Sequence, residues 1–128
     1  MVAVTVTIVL NTLVLLHDSD IGNAEAYIQI RCDTNKPYIS PVVKTKDNIA
    51  TWNNATYKCT AKNPNSISIT FDVYDKDTFT RDDLLGSKIM NFKKDDNIHK
   101  TETTYNTPFD RHKSKRNVKT LSYSIKYH

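Results

Sequence analysis

A chain of 128 residues with 38% hydrophobic and 25% charged side chains holds enough apolar mass for one packed domain spanning 1–128, and too little chain for two. That balance excludes a disordered tail and an integral membrane protein, and a total of two glycines argues against a phosphate-cradling loop or a dinucleotide fingerprint. The formal charge of +4 is unevenly spread: acids concentrate at 18–25 and 72–83, whereas only basic residues (Arg111, Lys113, Lys115, Arg116, Lys119 and Lys126) follow Asp110. A basic background favours anionic partners, while the acidic clusters argue against nucleic acid at that end.

In chain order, the first element is a strand over 2–10. Val2, Val4, Val6 and Ile8 alternate with Ala3, Thr5 and Thr7, a period of two carried by β-branched residues. The same stretch is apolar enough to suggest a secretory leader, and Ala24-Glu25-Ala26 imitates a cleavage site. However, no Lys or Arg precedes Arg31, and His17-Asp18-Ser19-Asp20 is unusually acidic for such a leader, so the strand reading is preferred. The stretch is also too short to span a bilayer.

Three further strands read clearly after it. Ala26, Ile28, Ile30 and Cys32 share one face, as do Tyr57, Cys59 and Ala61, and then Ile67, Ile69, Phe71 and Val73. Leu121, Tyr123, Ile125 and Tyr127 define a last strand, and weaker candidates cover 39–46, 87–92 and 100–105. Turns are expected at Asn35-Lys36-Pro37, Asn63-Pro64-Asn65, Asp95-Asp96-Asn97 and Thr107-Pro108. No apolar stripe of period 3.6 is sustained; at most a single helical turn fits at 81–85. Many short strands at this spacing imply an all-β, eight-stranded antiparallel β-sandwich. Cys32 and Cys59 both fall on apolar strand faces, which leaves two readings open, buried thiols or a bridge. Asn54-Ala55-Thr56 is a glycosylation sequon, meaningful only in a chain that enters the secretory pathway.

The most informative segment is 71–86. An alternating strand runs into a loop bearing Asp75, Asp77, Asp82 and Asp83, closed by Leu84-Leu85-Gly86. Carboxylates this crowded repel one another unless a hard cation lies among them. Asp75 and Asp77 stand two apart in extended chain, so their side chains leave on the same face. No His or Cys neighbours the cluster, which favours an oxygen-loving ion over zinc.

The order of these features resembles the C2 domain, the calcium-dependent phospholipid-binding module, over essentially the whole chain. Ala24-Glu25-Ala26-Tyr27 stands where the family has Ser-Asp-Pro-Tyr, Thr51-Trp52-Asn53 matches part of its Asn-Pro-x-Trp-Asn segment, and 74–86 matches its third loop closely. The strand that opens the sequence in synaptotagmin-like members comes last here, which is the permuted, type II topology of phospholipases and perforin. Ala26-Tyr27 after Glu25 and the Asp82-Asp83-Leu84-Leu85-Gly86 ending look most like the perforin subgroup.

The resemblance implies a Ca²⁺ site formed by Asp75, Asp77 and Asp83 of the third loop, with Glu25 in place of an aspartate and either Asp18 or Asp20 from the first loop. Asp82 is an additional ligand candidate. It also implies peripheral attachment to anionic phospholipid membrane, with Leu16, Phe79 and Arg81 at the membrane contact and a secondary basic face of Lys44, Lys46, Lys58 and Lys62 for lipid headgroups. The alternative is a protein-interaction module, partnering other protein domains, whose metal site has degenerated; Glu25 and the irregular first loop favour it. No enzymatic role is expected, since His17, His99, His112 and His128 lie at turns or ends without a triad around them. The sequon and the perforin resemblance lean towards secretion, and the absent basic leader leans towards the cytoplasm.

Overall fold

The computed structural model describes residues 4–16, 24–33, 36–63, 65–77, 80–93, 102–109 and 118–127. Ten strands occur in these segments: β1 (Val4–Leu15), β2 (Glu25–Cys32), β3 (Tyr38–Ile39), β4 (Val43–Lys44), β5 (Ile49–Thr51), β6 (Thr56–Ala61), β7 (Ser66–Asp75), β8 (Asp83–Lys93), β9 (Thr103–Pro108) and β10 (Val118–Tyr127). They form two antiparallel sheets packed as a sandwich. One runs β5/β6–β1–β10–β9 and the other β3/β4–β2–β7–β8. Because β3 and β4 both pair with β2, and β5 and β6 both pair with β1, the expected eight strands appear as ten segments, two of the strands being interrupted.

The interruptions have local causes. Pro41 lies between β3 and β4 and has no N–H to give a ladder. Side chains take over the pairing there: Ser40 Oγ accepts from Ile28 N at 2.8 Å, and Thr45 Oγ1 accepts from Ala24 N at 2.9 Å. Between β5 and β6 the neighbouring β1 shifts register between Leu10 and Thr12. That bulge flips the inward parity, so Val6, Ile8 and Leu10 are buried before it and Leu13 and Leu15 after it.

The alternation read from sequence places the core. Ile28, Ile30, Ile67, Ile69, Phe71 and Tyr123 are completely buried between the sheets, and Phe71 packs on Tyr123 with ring centroids 4.6 Å apart. The last strand lies directly beside the first, Ile8 opposite Ile125. Cys32 of β2 and Cys59 of β6 are joined by a disulfide between the two sheets. The apolar residues 4–15 are therefore part of the sandwich, as the strand reading requires.

Two expectations fail. The helical turn at 81–85 does not form, because Asp83, Leu84 and Leu85 already pair with β7 at the start of β8. Thr107-Pro108 is not a turn but the end of β9, opposite Leu121 and Thr120. Proline is tolerated because β9 is an edge strand, and Thr107 is buried with its hydroxyl 3.1 Å from that of Tyr123. The turn expected at 95–97 lies outside the described residues.

The β4–β5 connection is a two-residue hairpin. Lys46 and Ile49 exchange backbone hydrogen bonds of 2.9 and 3.0 Å around Asp47 and Asn48, whose φ angles are 53° and 65°. Two positive φ angles define the primed turn that matches strand twist, and Asp and Asn tolerate it. Asn48→Val is expected to lower stability by about 1–2 kcal/mol, because a β-branched side chain clashes in this conformation, whereas Asn48→Gly should be neutral or mildly stabilising. Urea unfolding of the two variants checks the contrast.

Candidate functional site

The chain ends of several strands meet at one rim. Leu15, ending β1, pairs with Val118, opening β10, and its N–H donates to Asn48 O at 2.8 Å. Glu25 opens β2, Asp75 closes β7 and Asp83 opens β8. The pairing Ala26 to Asp75 and Asp75 to Asp83 sets these three strand ends side by side. Glu25, Asp77 and Asp83 are exposed; Asp75 and Asp82 are half-buried. Like charges directly opposite across a ladder are unfavourable, so the Asp75–Asp83 pair is a local cost that the sandwich core offsets.

Backbone contacts fix this arrangement. Thr45 fastens Ala24, with its N–H donating to Ala24 O at 2.8 Å, and so sets where Glu25 enters the sheet. Asp75 Oδ1 accepts from Glu25 N at 3.1 Å, and Lys76 N donates to Glu25 O at 2.8 Å. The start of β2 and the exit of β7 are thereby tied to each other. Gly86 closes the Leu84-Leu85-Gly86 run for a steric reason: a Cβ there would stand 3.0 Å from Val118 Cγ2 and 3.2 Å from Phe109.

Asp82 is held differently from the other acids. Its Oδ1 accepts from Asp77 N at 2.8 Å and its Oδ2 from the hydroxyl of Tyr27 at 2.5 Å. Tyr27 reaches it while stacked on Tyr74, its cross-strand partner, at 5.3 Å between centroids. The Asp77 N–H, then the Tyr27 hydroxyl, hold the Asp82 carboxyl below the usual range. Burial first, then the Asp82 hydrogen bond and charge, push the Tyr27 phenol up to about 12. The neutral phenol is thus favoured in the fold, and its contribution to stability is complete below pH 10.0 and is lost as pH rises from there towards about 12. Tyr27→Phe should remove that alkaline loss and let Asp82 titrate nearer its ordinary value. Tyrosinate absorbance against pH, with melting curves at each pH, reads both.

Of the sequence candidates, Glu25, Asp75, Asp77, Asp82 and Asp83 gather at this rim, with Arg81 exposed and Leu16 half-buried at the end of β1. Asp18, Asp20 and Phe79 lie outside the described residues. Lys44, Lys46, Lys58 and Lys62 are all exposed; Lys44 pairs opposite Glu25 in one sheet, and Lys58 sits in β6 of the other. Sequence reasoning missed Tyr27 as the holder of Asp82. It also missed the ion pair of Arg31 with Asp72 at 2.7 Å, joined by the Ser87 hydroxyl, on the outer face of the β2–β7–β8 sheet. Arg31 and Asp72 lie diagonally across β2–β7, a relation visible only once the register is known.

Among the described residues, the acidic side chains at the rim offer oxygen ligands, the chemistry a hard cation takes. Among the described residues, no three Asp, Glu, His or Cys side chains stand close enough together to hold a metal ion. Among them, too, no helix is long and apolar enough to cross a membrane.

The sandwich and its acidic rim define a C2 domain. The C2 family model matches residues 3–107, and the chain belongs to that family, which is in general a non-catalytic, peripherally membrane-associated module. Among solved structures, the first C2 domain (domain A) of plant extended synaptotagmin 1 superposes with a TM-score of 0.76 at 16% identity, covering 96% of this chain and 92% of that one. Human GIVD cytosolic phospholipase A2 superposes with a TM-score of 0.75 at 11% identity, covering 98% of this chain but 17% of the phospholipase. The paired C2 domains, A and B, of extended synaptotagmin 2 give a TM-score of 0.73 at 19% identity over 96% of this chain and 40% of that one. At such identities the likeness is one of fold. No curated protein matches the chain.

Proposed function

We propose that the acidic rim binds Ca²⁺ and thereby attaches the domain to anionic phospholipid membrane. The observation that carries this reading is the alignment of Glu25, Asp75 and Asp83 at the ends of three neighbouring strands, with Asp77 and Asp82 just beyond. Five carboxylates in so small a region repel an anionic surface in the absence of a cation. Bound calcium would supply compensating positive charge and coordination positions for phosphate oxygens.

In this reading Glu25, Asp75, Asp77 and Asp83, with Asp18 or Asp20 of the first loop, hold the ion. The hydrogen bonds among Glu25, Asp75 and Lys76 hold the start of β2 against the end of β7. If Asp82 joins the ligand set, the Tyr27 hydroxyl and the Asp77 N–H draw on the same carboxylate oxygens and weaken its hold on the metal. Phe79, with Leu16 and Arg81 beside the rim, would enter the interface, where a buried aromatic contributes on the order of 2 kcal/mol. A second reading, a protein-interaction module with a degenerate metal site, is favoured by two observations: no three of the described acids stand close enough together to hold a metal ion, and Asp82 is already hydrogen-bonded.

A calcium titration followed by thermal melting, without membrane, separates the two. Binding to the native state must raise the melting temperature, by the equivalent of about 2.7 kcal/mol at a hundredfold excess over Kd. Sedimentation with phosphatidylserine vesicles, in calcium and in chelator, then tests attachment. An unmoved melting curve sinks the calcium reading and leaves the interaction module.

A further inference from the structure

We infer that Asn54 is an N-glycosylation site and that the chain matures in an oxidising, glycosylating compartment. Two independent observations carry this. The first is the position of the sequon. Of the chain's asparagines, only Asn54 heads an Asn-x-Ser/Thr triplet without proline, and it stands on an exposed bend between β5 and β6. The bend is pinned on both sides. Trp52 is buried, its N–H donates to Asn11 O at 2.9 Å and its indole N–H to Pro41 O at 2.8 Å. Ala55 is buried and its carbonyl accepts from Leu10 N at 3.0 Å. With Trp52 and Ala55 facing in, Asn53 and Asn54 face solvent, and so does Thr56, whose hydroxyl the glycosylating enzyme must read.

The second observation is the Cys32–Cys59 disulfide, which joins the two sheets; among the described residues there is no free cysteine. Such a bond persists in oxidising compartments and is rare where glutathione keeps thiols reduced. Its formation passes two electrons from the paired thiols to a disulfide-bearing oxidant, which is reduced to two thiols as two protons are released and exchanged. Glycosylation uses a lipid-linked oligosaccharide diphosphate. Nδ2 of Asn54 bonds to the anomeric carbon, the carbon–oxygen bond to the diphosphate breaks, the lipid diphosphate leaves with the electron pair, and the amide loses one proton.

The site suits a bulky substituent. The β5–β6 segment is an outer edge of its sheet, and an exposed edge invites pairing with another chain, which a glycan blocks. Leu10, bonded to Ala55, lies five residues before the end of β1 at Leu15. At about 3.3 Å per residue the attachment point lies on the side of the sandwich, roughly 16 Å from the acidic rim.

The test is secretion of the full chain from a eukaryotic cell behind an appended cleavable leader, with intact-mass and peptide mass spectrometry of the product. The expected result is a secreted, folded protein with no free thiol, carrying one glycan that peptide:N-glycosidase F removes, leaving Asp at position 54. Thr56→Ala and Asn54→Gln should each abolish the glycan, Thr56→Ser should retain it, and Asn53→Gln should leave it unchanged. Secretion of folded protein with unmodified Asn54, with both thiols free, or a glycosylated form that fails to fold would each overturn the inference. None of these readouts involves calcium or lipid, so the outcome is separate from that of the membrane reading.

Discussion

Replacing Cys32 and Cys59 together by alanine is expected to lower stability by about 3.5 kcal/mol, the loop-closure entropy for a cross-link of this span. The two residues are separated by 27 positions and their Cα atoms lie 6.5 Å apart. For a domain of this size the loss corresponds to a fall in melting temperature on the order of 10–15 °C. Both side chains are buried, so truncation adds a small cavity cost in the same direction. The mechanism has its own signature. An unlinked denatured chain exposes more surface, so the denaturant m-value should rise as the midpoint falls. Reduction of the unmodified protein should reproduce both changes, and each single substitution should match the double one closely. A loss below about 1 kcal/mol would mean that the sheets are held by core packing alone and that the bridge is incidental to the fold.

The strand pattern was legible because each sheet buries one face, which makes period-two alternation a direct record of inside and outside. Ile28, Ile30, Ile67, Ile69, Phe71 and Tyr123 needed nothing more. What alternation cannot show is where parity changes. Val6, Ile8 and Leu10 point inward, yet so do Leu13 and Leu15, because one extra residue near Asn11 bulges the strand. Leu84-Leu85 breaks the alternation next to the segment 81–85, where at most a helical turn was expected; the structure places both in β8 with a register shift between Val73 and Tyr74 opposite them. The disulfide could not be assigned from strand faces, since β2 and β6 belong to different sheets and no sequence pattern records which strands face each other.

The acidic rim was legible for a different reason. Charge is local in sequence at 75–83, so the cluster survives any error in register, and Glu25 joins it through the family pattern. Tyr27 was not legible as its partner. It sits 55 residues from Asp82 and reads only as an aromatic on a strand's outer face. The basic lysines mark a different limit of the pattern. Lys44 and Lys58 look equivalent in an alternating pattern, but the pattern does not say that they lie in opposite sheets.

The double substitution Asp75→Asn with Asp77→Asn should abolish calcium-dependent sedimentation with phosphatidylserine vesicles, a loss of at least about tenfold in affinity, while the fold survives. Asparagine keeps Oδ1 at position 75, so the hydrogen bond from Glu25 N is retained, and the pairing with Ala26 and Asp83 involves backbone only. In chelator the variant should melt at the same or a slightly higher temperature, because two of the rim's mutually repelling charges are gone. The same change separates coordination from simple attraction. It raises the formal net charge of +4 by two, so a domain held to anionic lipid by overall charge alone would bind better, with or without calcium, and more so at low salt. A domain that attaches through a metal held by these carboxylates must bind worse in calcium despite being more positive. The two accounts therefore predict opposite signs for one measurement, and stronger vesicle binding by the variant in calcium would end the coordination model.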